Sequence, residues 1–437
     1  MIGLGLSITQ LAVRQMLGGT FNPLDLFANS EPGFWYDPSD MSTLFQDASG
    51  ATPVTAVEQP VGLMLDKSGN GAHATQATAT SRPVLSARVN LLTKTEQFDD
   101  GVGWAKTIAG TGTAPIVTDL YTEASAPDGT FTASRLRCFI SGTSSGDISG
   151  LQKGSGAVLS TLAGRIWVKS NTASLQTAWF RAGGSQRSVT VTTSWTQITD
   201  TGTIDYFSIG LRGSISGAGL LDILLWHPDQ RVANDGVGLP AYQRVNTATD
   251  YDTVGFPHYL RCDGIDDWMV TPTITPGTDK VQVFAGVRKL SDAAGGSVAE
   301  LNTSWLSGSG TFALFAPSPA NTNIASASRG SAGAVLGQVA SDNENASPIT
   351  RVVAMLAEIS QDQNILRING AQAASSTQDQ GAGNYGNYPL YLFRRGGTSS
   401  TFNGHFYGGI IRFGDNLPIE TIEQTESYMA AKTGVTL

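Results

Sequence analysis

Short runs of alternating apolar and polar residues, broken at roughly 8–12-residue spacing by Gly, Ser or Asn, leave this chain few ways to bury a core. Arg165 to Lys169 reads Arg-Ile-Trp-Val-Lys, and Ser188 to Thr193 reads Ser-Val-Thr-Val-Thr-Thr. A period of two puts every second side chain on one face, which describes a half-buried strand and not a helix. The composition agrees. With 51 glycines in 437 residues and only 14% charged residues, turns and pleated surfaces are favoured over helices. Hydrophobic residues make up 40%, enough for packed cores. The expected fold class is all-β, built from sandwiches, and at roughly 150 residues per domain the length suggests two to three of them.

The formal net charge of −9 argues against a nucleic-acid partner, because phosphate binding relies on clustered Lys and Arg. An acidic surface also does little to attract anionic membranes. No run reaches the ~18 apolar residues of a membrane span. At the N-terminus no basic region precedes the apolar residues, and Arg14 interrupts them, so no secretion signal is expected. Met1 to Gly19 reads as an extended Gly-rich start and one short helix, capped by Ser7 and stopped by Gly18-Gly19. Segment 1–30 is expected to attach the chain to a particle or a sister subunit, the alternative being packing on its own domain.

Residues 34–85 carry Phe-Trp-Tyr-Asp-Pro-Ser-Asp-Met, then Leu-Asp-Lys-Ser-Gly-Asn-Gly-Ala-His, then Ser-Arg-Pro-Val-Leu. This resembles the opening of a laminin-G-like (concanavalin A-like) sandwich found in many tailed-phage proteins. The family's next phrase, Tyr-Leu-x-Phe-Asp-Gly-x-Asp-Asp-Tyr, arrives only at 259–268 as Tyr-Leu-Arg-Cys-Asp-Gly-Ile-Asp-Asp-Trp. Between them, Asn90-Leu-Leu-Thr-Lys, Ala126-Pro-Asp-Gly-Thr, Gly164-Arg-Ile-Trp-Val-Lys and Leu221-Asp-Ile-Leu-Leu-Trp resemble the carbohydrate-binding-module-like jelly roll of phage tail and fibre proteins. The expected organisation is a discontinuous outer sandwich, 31–88 plus 246–437, with the jelly roll 89–245 inserted. In the outer domain Asn369-Gly370 marks a hairpin turn. One helix is expected over about 418–432, with Pro418 in its first turn and Gly434 ending it. Cys138 and Cys262 then belong to different domains and read as two free, buried thiols, consistent with folding in a reducing cytoplasm.

Glycoside hydrolysis needs two carboxylates flanking the bond. The Glu-x-Asp-x-x-Glu string of hydrolases with this fold is absent, and Asp263, Asp266 and Asp267 form the nearest cluster, in what reads as a structural turn. The four histidines, His73, His227, His258 and His405, lack a Gly-x-Ser-x-Gly partner or metal-ligand spacing. No enzyme and no cofactor is expected, although a structural calcium would suit a sandwich loop. Asp66 and Asn70 in Asp-Lys-Ser-Gly-Asn-Gly are the weak metal candidates, against the plainer reading of a tight turn.

Sugar binding asks for aromatic faces and planar polar side chains. Trp167 and Trp226 lie inside apolar strands and read as core. Trp104, Trp179 and Tyr206 lie nearer polar or Gly-rich stretches and are the candidate platform. Arg181, two residues after Trp179 on the same strand face, would supply hydrogen bonds. The resemblance implies a phage virion structural protein, of tail-appendage or fibre type, that recognises host-surface polysaccharide and binds other virion proteins through its N-terminal segment. It also implies a homo-oligomer, often a trimer in such appendages, located in the virion after release by lysis. Two alternatives stand beside it: a capsid- or tail-decorating protein acting by protein–protein contacts, and a glycan-cleaving enzyme.

Overall fold

The computed structural model describes residues 21–99, 101, 103–156, 161–233, 241–332, 337–340 and 346–437. The helix expected between Ser7 and Gly18 lies outside them. The chain forms two compact β-sandwich units. One comprises residues up to Leu85 with Tyr259–Ser347 and Arg351–Leu437, and the other comprises Ser86–His258 with Pro348–Thr350.

In the first unit an eight-stranded sheet runs Ala371–Ser376, Gln363–Ile368, Ile349–Glu358, Lys280–Lys289, Asn403–Phe413, Tyr259–Asp263 and Val84–Ser86, with Gly33–Tyr36 also paired to Asn403–Phe413. A nine-stranded sheet faces it across a core that includes Phe34, Tyr36, Leu260, Val283 and Phe413 from one side and Met64, Leu301, Phe312 and Leu392 from the other. The Asn-Gly turn forms as its chemistry requires. Asn369 (φ 50°) and Gly370 (φ 80°) both adopt the left-handed conformation that a two-residue hairpin needs.

Helix Ile419–Thr433 follows Pro418 and stops at Gly434, whose φ of 75° closes it. It covers the outer face of the eight-stranded sheet, where Ile422, Met429 and Ala430 meet Trp35, Phe284 and Ile410. Leu26 and Phe27, from the 3-10 turn Pro23–Phe27, are buried in the same cluster. The later part of the expected attachment segment therefore packs on its own unit, because two large apolar side chains find cover there. The helix is also clamped electrostatically: Arg367 donates to both carboxylate oxygens of the buried Glu426 at 2.8 and 2.9 Å.

The second unit pairs two five-stranded antiparallel sheets. One runs Thr196–Gly202, Leu162–Ser170, Gly219–Val232, Ser134–Ile140, Ile116–Thr118; the other runs Arg187–Val191, Gln176–Ala182, Phe207–Arg212, Ile148–Lys153, Ala105–Ala109. Leu136, Ile166, Val168, Phe180, Ile209 and Leu225 interdigitate between them. Two fully buried amides lace its ends. Gln243 Oε1 accepts the Val89 and Asn90 N–H groups, and its Nε2 donates to the Ala87 and Asp252 carbonyls. Asn90 donates to the Pro228 and Gln243 carbonyls and accepts from Gln230 N and Leu92 N. Residues 246–258 go with this unit and not the first, since Tyr251 binds Ser86 and Ala87 and Val245 binds Thr95. Cys138 and Cys262 are both free and buried, and burial pushes the Cys138 thiol up to about 12.

Removing one partner of a buried ion pair leaves an uncompensated charge, at a cost of about 3–5 kcal/mol. Glu426→Ala should lose stability of that order in chemical denaturation. The double variant Arg367→Met/Glu426→Leu should lose clearly less.

Candidate functional site

Strand Gln176–Ala182 divides its side chains between two faces. Ala178, Phe180 and Ala182 enter the core, so Trp179 and Arg181 alternate onto the outward face of their sheet. Register extends that face across the neighbouring strands. Arg181 stands opposite Ser208, which stands opposite Gln152; Trp179 stands opposite Gly210, which stands opposite Gly150. Thr107 and Ser188 complete the second row. Gly150 and Gly210 leave its middle bare of side chains, and a Cβ on Gly210 (φ 155°) would lie only 2.5 Å from the Gly150 Cα.

Tyr206, two residues before Ser208, keeps 47% of its surface exposed. The Arg181 guanidinium carbon lies 5.2 Å from the centre of its ring. Arg181 itself is only 9% exposed. Its Nη2 makes one long contact, 3.5 Å to Ser208 Oγ, and its buried Nε has no hydrogen-bond partner among the described residues. Burial draws its pKa below the usual arginine value, and the neighbouring Arg212 pulls the same way. Arg212 is held by the Ser145 carbonyl at 3.0 Å and by Gln186. This face thus offers an open phenol ring, a cation, hydroxyls and an amide.

Arg181 and Tyr206 are therefore brought together, but the two tryptophans expected beside them are not available as platforms. Trp104 is 2% exposed. It packs on Phe98 and Phe207 at 4.9 and 5.8 Å, and its Nε1 donates to the Lys94 carbonyl. It is a core residue whose one polar atom is satisfied, in spite of the polar sequence around it. Trp179 does lie on the outward side, yet it is 1% exposed and presents no ring face. The helical turn Gly213–Ser216 sits beside its strand.

Trp167 and Trp226 lie on the outward side of the other sheet and outside the inter-sheet core, but Trp226 is buried there in a small apolar cluster, with Trp167 partly buried against it. They pair across strands and cluster with Trp195, Ala126 and Ala133. Trp226 Nε1 donates to Thr132 Oγ1, and His227 stacks between Trp226 and Tyr242 at 3.3 and 3.6 Å. In the first unit Trp268 stacks on Tyr391 at 5.9 Å, both half-buried on the nine-stranded sheet. Sequence reasoning missed the Trp167–Trp226 and Trp268–Tyr391 pairs because each joins residues far apart in the chain.

Asp66 and Asn70 are loop fasteners. The Asp66 carboxylate accepts from Trp35 N, Ser68 N, Ser68 Oγ and Ala72 N, which fills its oxygens and removes it as a cation ligand. Asn70 Nδ2 donates to the Glu31 and Gly33 carbonyls. Asp263, Asp266 and Asp267 bring carboxylate oxygens within 4.8 Å of one another. They are tied into their turn: Asp263 accepts from Ile265 N, Asp267 from Asp263 N, and Asp266 from Ser81 Oγ. Burial first, and then its two acidic neighbours, push the Asp267 carboxyl up to about 6.

No family model matches the chain, and no curated protein matches it. Among solved structures, the Ruminococcus gnavus IT-sialidase CBM40 bound to α2,3-sialyllactose is similar at 18% identity and TM-score 0.28, over 34% of this chain and 84% of that one. The binding domain of botulinum neurotoxin DC in complex with SialylT is similar at 11% identity and TM-score 0.30, over 40% of this chain and 43% of that one. The receptor-binding domain of botulinum neurotoxin D is similar at 14% and 0.30, over 44% and 48%.

Two consequences are measurable. Trp104→Ala should destabilise the protein by about 3–5 kcal/mol, because it empties a core site. Its denaturation midpoint should fall accordingly. Asp267 binds its proton more tightly folded than unfolded, so its contribution favours folding at low pH and is lost as pH rises from about 4 to about 6. Asp267→Asn should then stabilise the fold by about 2 kcal/mol at pH 8 and little at pH 4, read from paired denaturation curves.

Proposed function

We propose that this chain is a glycan-recognition protein without catalytic activity, carried on a phage virion as a tail appendage or fibre, and that the outward face bearing Arg181 and Tyr206 reads host-surface polysaccharide. The observation that carries the glycan reading is the half-exposed Tyr206 ring beside Arg181, in a row with Ser208 and Gln152. An aromatic face takes the apolar side of a sugar ring, while hydroxyls, amides and guanidinium meet its hydroxyl groups. The virion reading rests on the phage-type phrases in 34–85 and 259–268, and with it go attachment through the N-terminal segment and a homo-oligomeric, trimeric appendage.

A second reading has its own observation. On the other sheet of the same unit Phe139 and Leu220 stand opposite each other, 42% and 65% exposed. Such a pair suits contact with another protein, as in a decorating subunit.

The test is a glycan array of bacterial surface polysaccharides probed with the full chain. Tyr206→Ala should weaken binding roughly three- to tenfold, the value of one aromatic contact. Its thermal stability should stay near the parent's, as for most surface changes. Trp195→Ala, on the opposite sheet, should leave binding unchanged. Loss with Trp195→Ala alone would move the site to that sheet. No glycan binding at all would leave the decorating role.

A further inference from the structure

A buried charge in a folded protein is ordinarily matched, because an unmatched one forfeits hydration without recompense. This chain follows the rule at Arg367 with Glu426, Arg395 with Glu300, Arg412 with Glu31 and Arg231 with Asp229. Arg181 departs from it. It is more than nine-tenths buried, no carboxylate lies within ion-pair distance among the described residues, and its Nε is left without an acceptor. The charged or titratable groups around it are Tyr206, Arg212 and Asp200. Tyr206 contributes a ring face, and Arg212 adds a like charge. Asp200 is committed elsewhere: its Oδ2 accepts the Ala182 and Gly184 N–H groups, and its Oδ1 lies 3.8 Å from Arg187 Nε. Beside Arg181, Trp179 Nε1 is a second buried donor with no hydrogen-bond partner among the described residues.

We propose that Arg181 receives the carboxylate of an acidic sugar residue whose ring lies against Tyr206. The missing element of this face is an acceptor with negative charge, and a carboxylate supplies two coplanar oxygens that match the guanidinium fork. Arg212 adds to the local positive potential. The chain as a whole is at −9, so attraction to a polyanion cannot come from its overall field and must be local. This inference rests on the glycan-binding reading and narrows it to acidic saccharides, of uronic or sialic type.

The experiment measures binding of the full chain to matched oligosaccharides: a carboxylate-bearing sugar, the same sugar after carboxyl reduction, and a sulfated counterpart. The expected result is at least tenfold tighter binding to the carboxylate form than to its reduced partner. Arg181→Met should abolish that preference while keeping or raising the melting temperature, since it removes an unmatched buried charge. A merely structural arginine would do the reverse and lower it. Arg181→Lys should keep a weakened preference, and it covers the case in which the methionine variant fails to fold. Equal binding to carboxylate and reduced forms would overturn the proposal and leave glycan recognition standing. So would tightest binding to the sulfated form, or an unchanged preference in both variants. Absence of binding to all three would overturn both.

Discussion

Two side-chain amides hold the second sandwich shut. Asn90 and Gln243, both without solvent exposure, bond the strand leading into the unit to the segment leading out of it. Every one of these contacts replaces a backbone partner that an irregular segment would otherwise lack, and a buried, fully satisfied amide network of this kind admits a single register. Because the ends meet, a long stretch of chain can form its own core between Leu85 and Tyr259 while strands from either side of it share one sheet: Val84–Ser86 lies next to Tyr259–Asp263.

Where buried polar groups stand unsatisfied, their placement is informative. Arg367 and Arg231 each meet a carboxylate with two nitrogens, and Trp104, Trp195 and Trp226 each have an acceptor, whereas Trp305, Gln230 and Gln380 keep buried side-chain atoms without a hydrogen-bond partner among the described residues. Arg181 Nε and Trp179 Nε1 belong to the same unsatisfied group. Both lie on one face of one strand, and the same face carries the exposed Tyr206. A surface that retains open hydrogen-bonding capacity next to an aromatic ring is organised for a ligand more than for its own stability.

Local signals in the sequence were legible where local chemistry decides structure. Asn369-Gly370 forms its hairpin turn, Pro418 and Gly434 bound the helix, and alternation from Arg165 to Lys169 yields a strand. The spacing of Trp179 and Arg181 placed them on one face. What stayed hidden was which face each strand buries. Trp104 sits among polar neighbours but is drawn inward by Phe98 and Phe207, which come from before and far after it. Trp167 and Trp226 sit in apolar strands but point outward, since Ile166, Val168 and Leu225 take the core positions. Such outcomes depend on partners distant in sequence. For the same reason the association of residues 246–258 with the second unit, through Tyr251 and Ser86, had no local marker.

The pairing of Gly33 with Arg412 has an implication for synthesis. A ribosome delivers the chain in sequence order, so Gly33–Tyr36 must wait until Asn403–Phe413 is made before its partner strand exists. The strands Lys280–Lys289 and Tyr259–Asp263 wait on the same late segment. The strands of the second unit's two sheets, from Ala105 to Val232, are all made well before that. The first unit can therefore close its sheet only after those strands exist, and its early apolar strands depend on that interval being short.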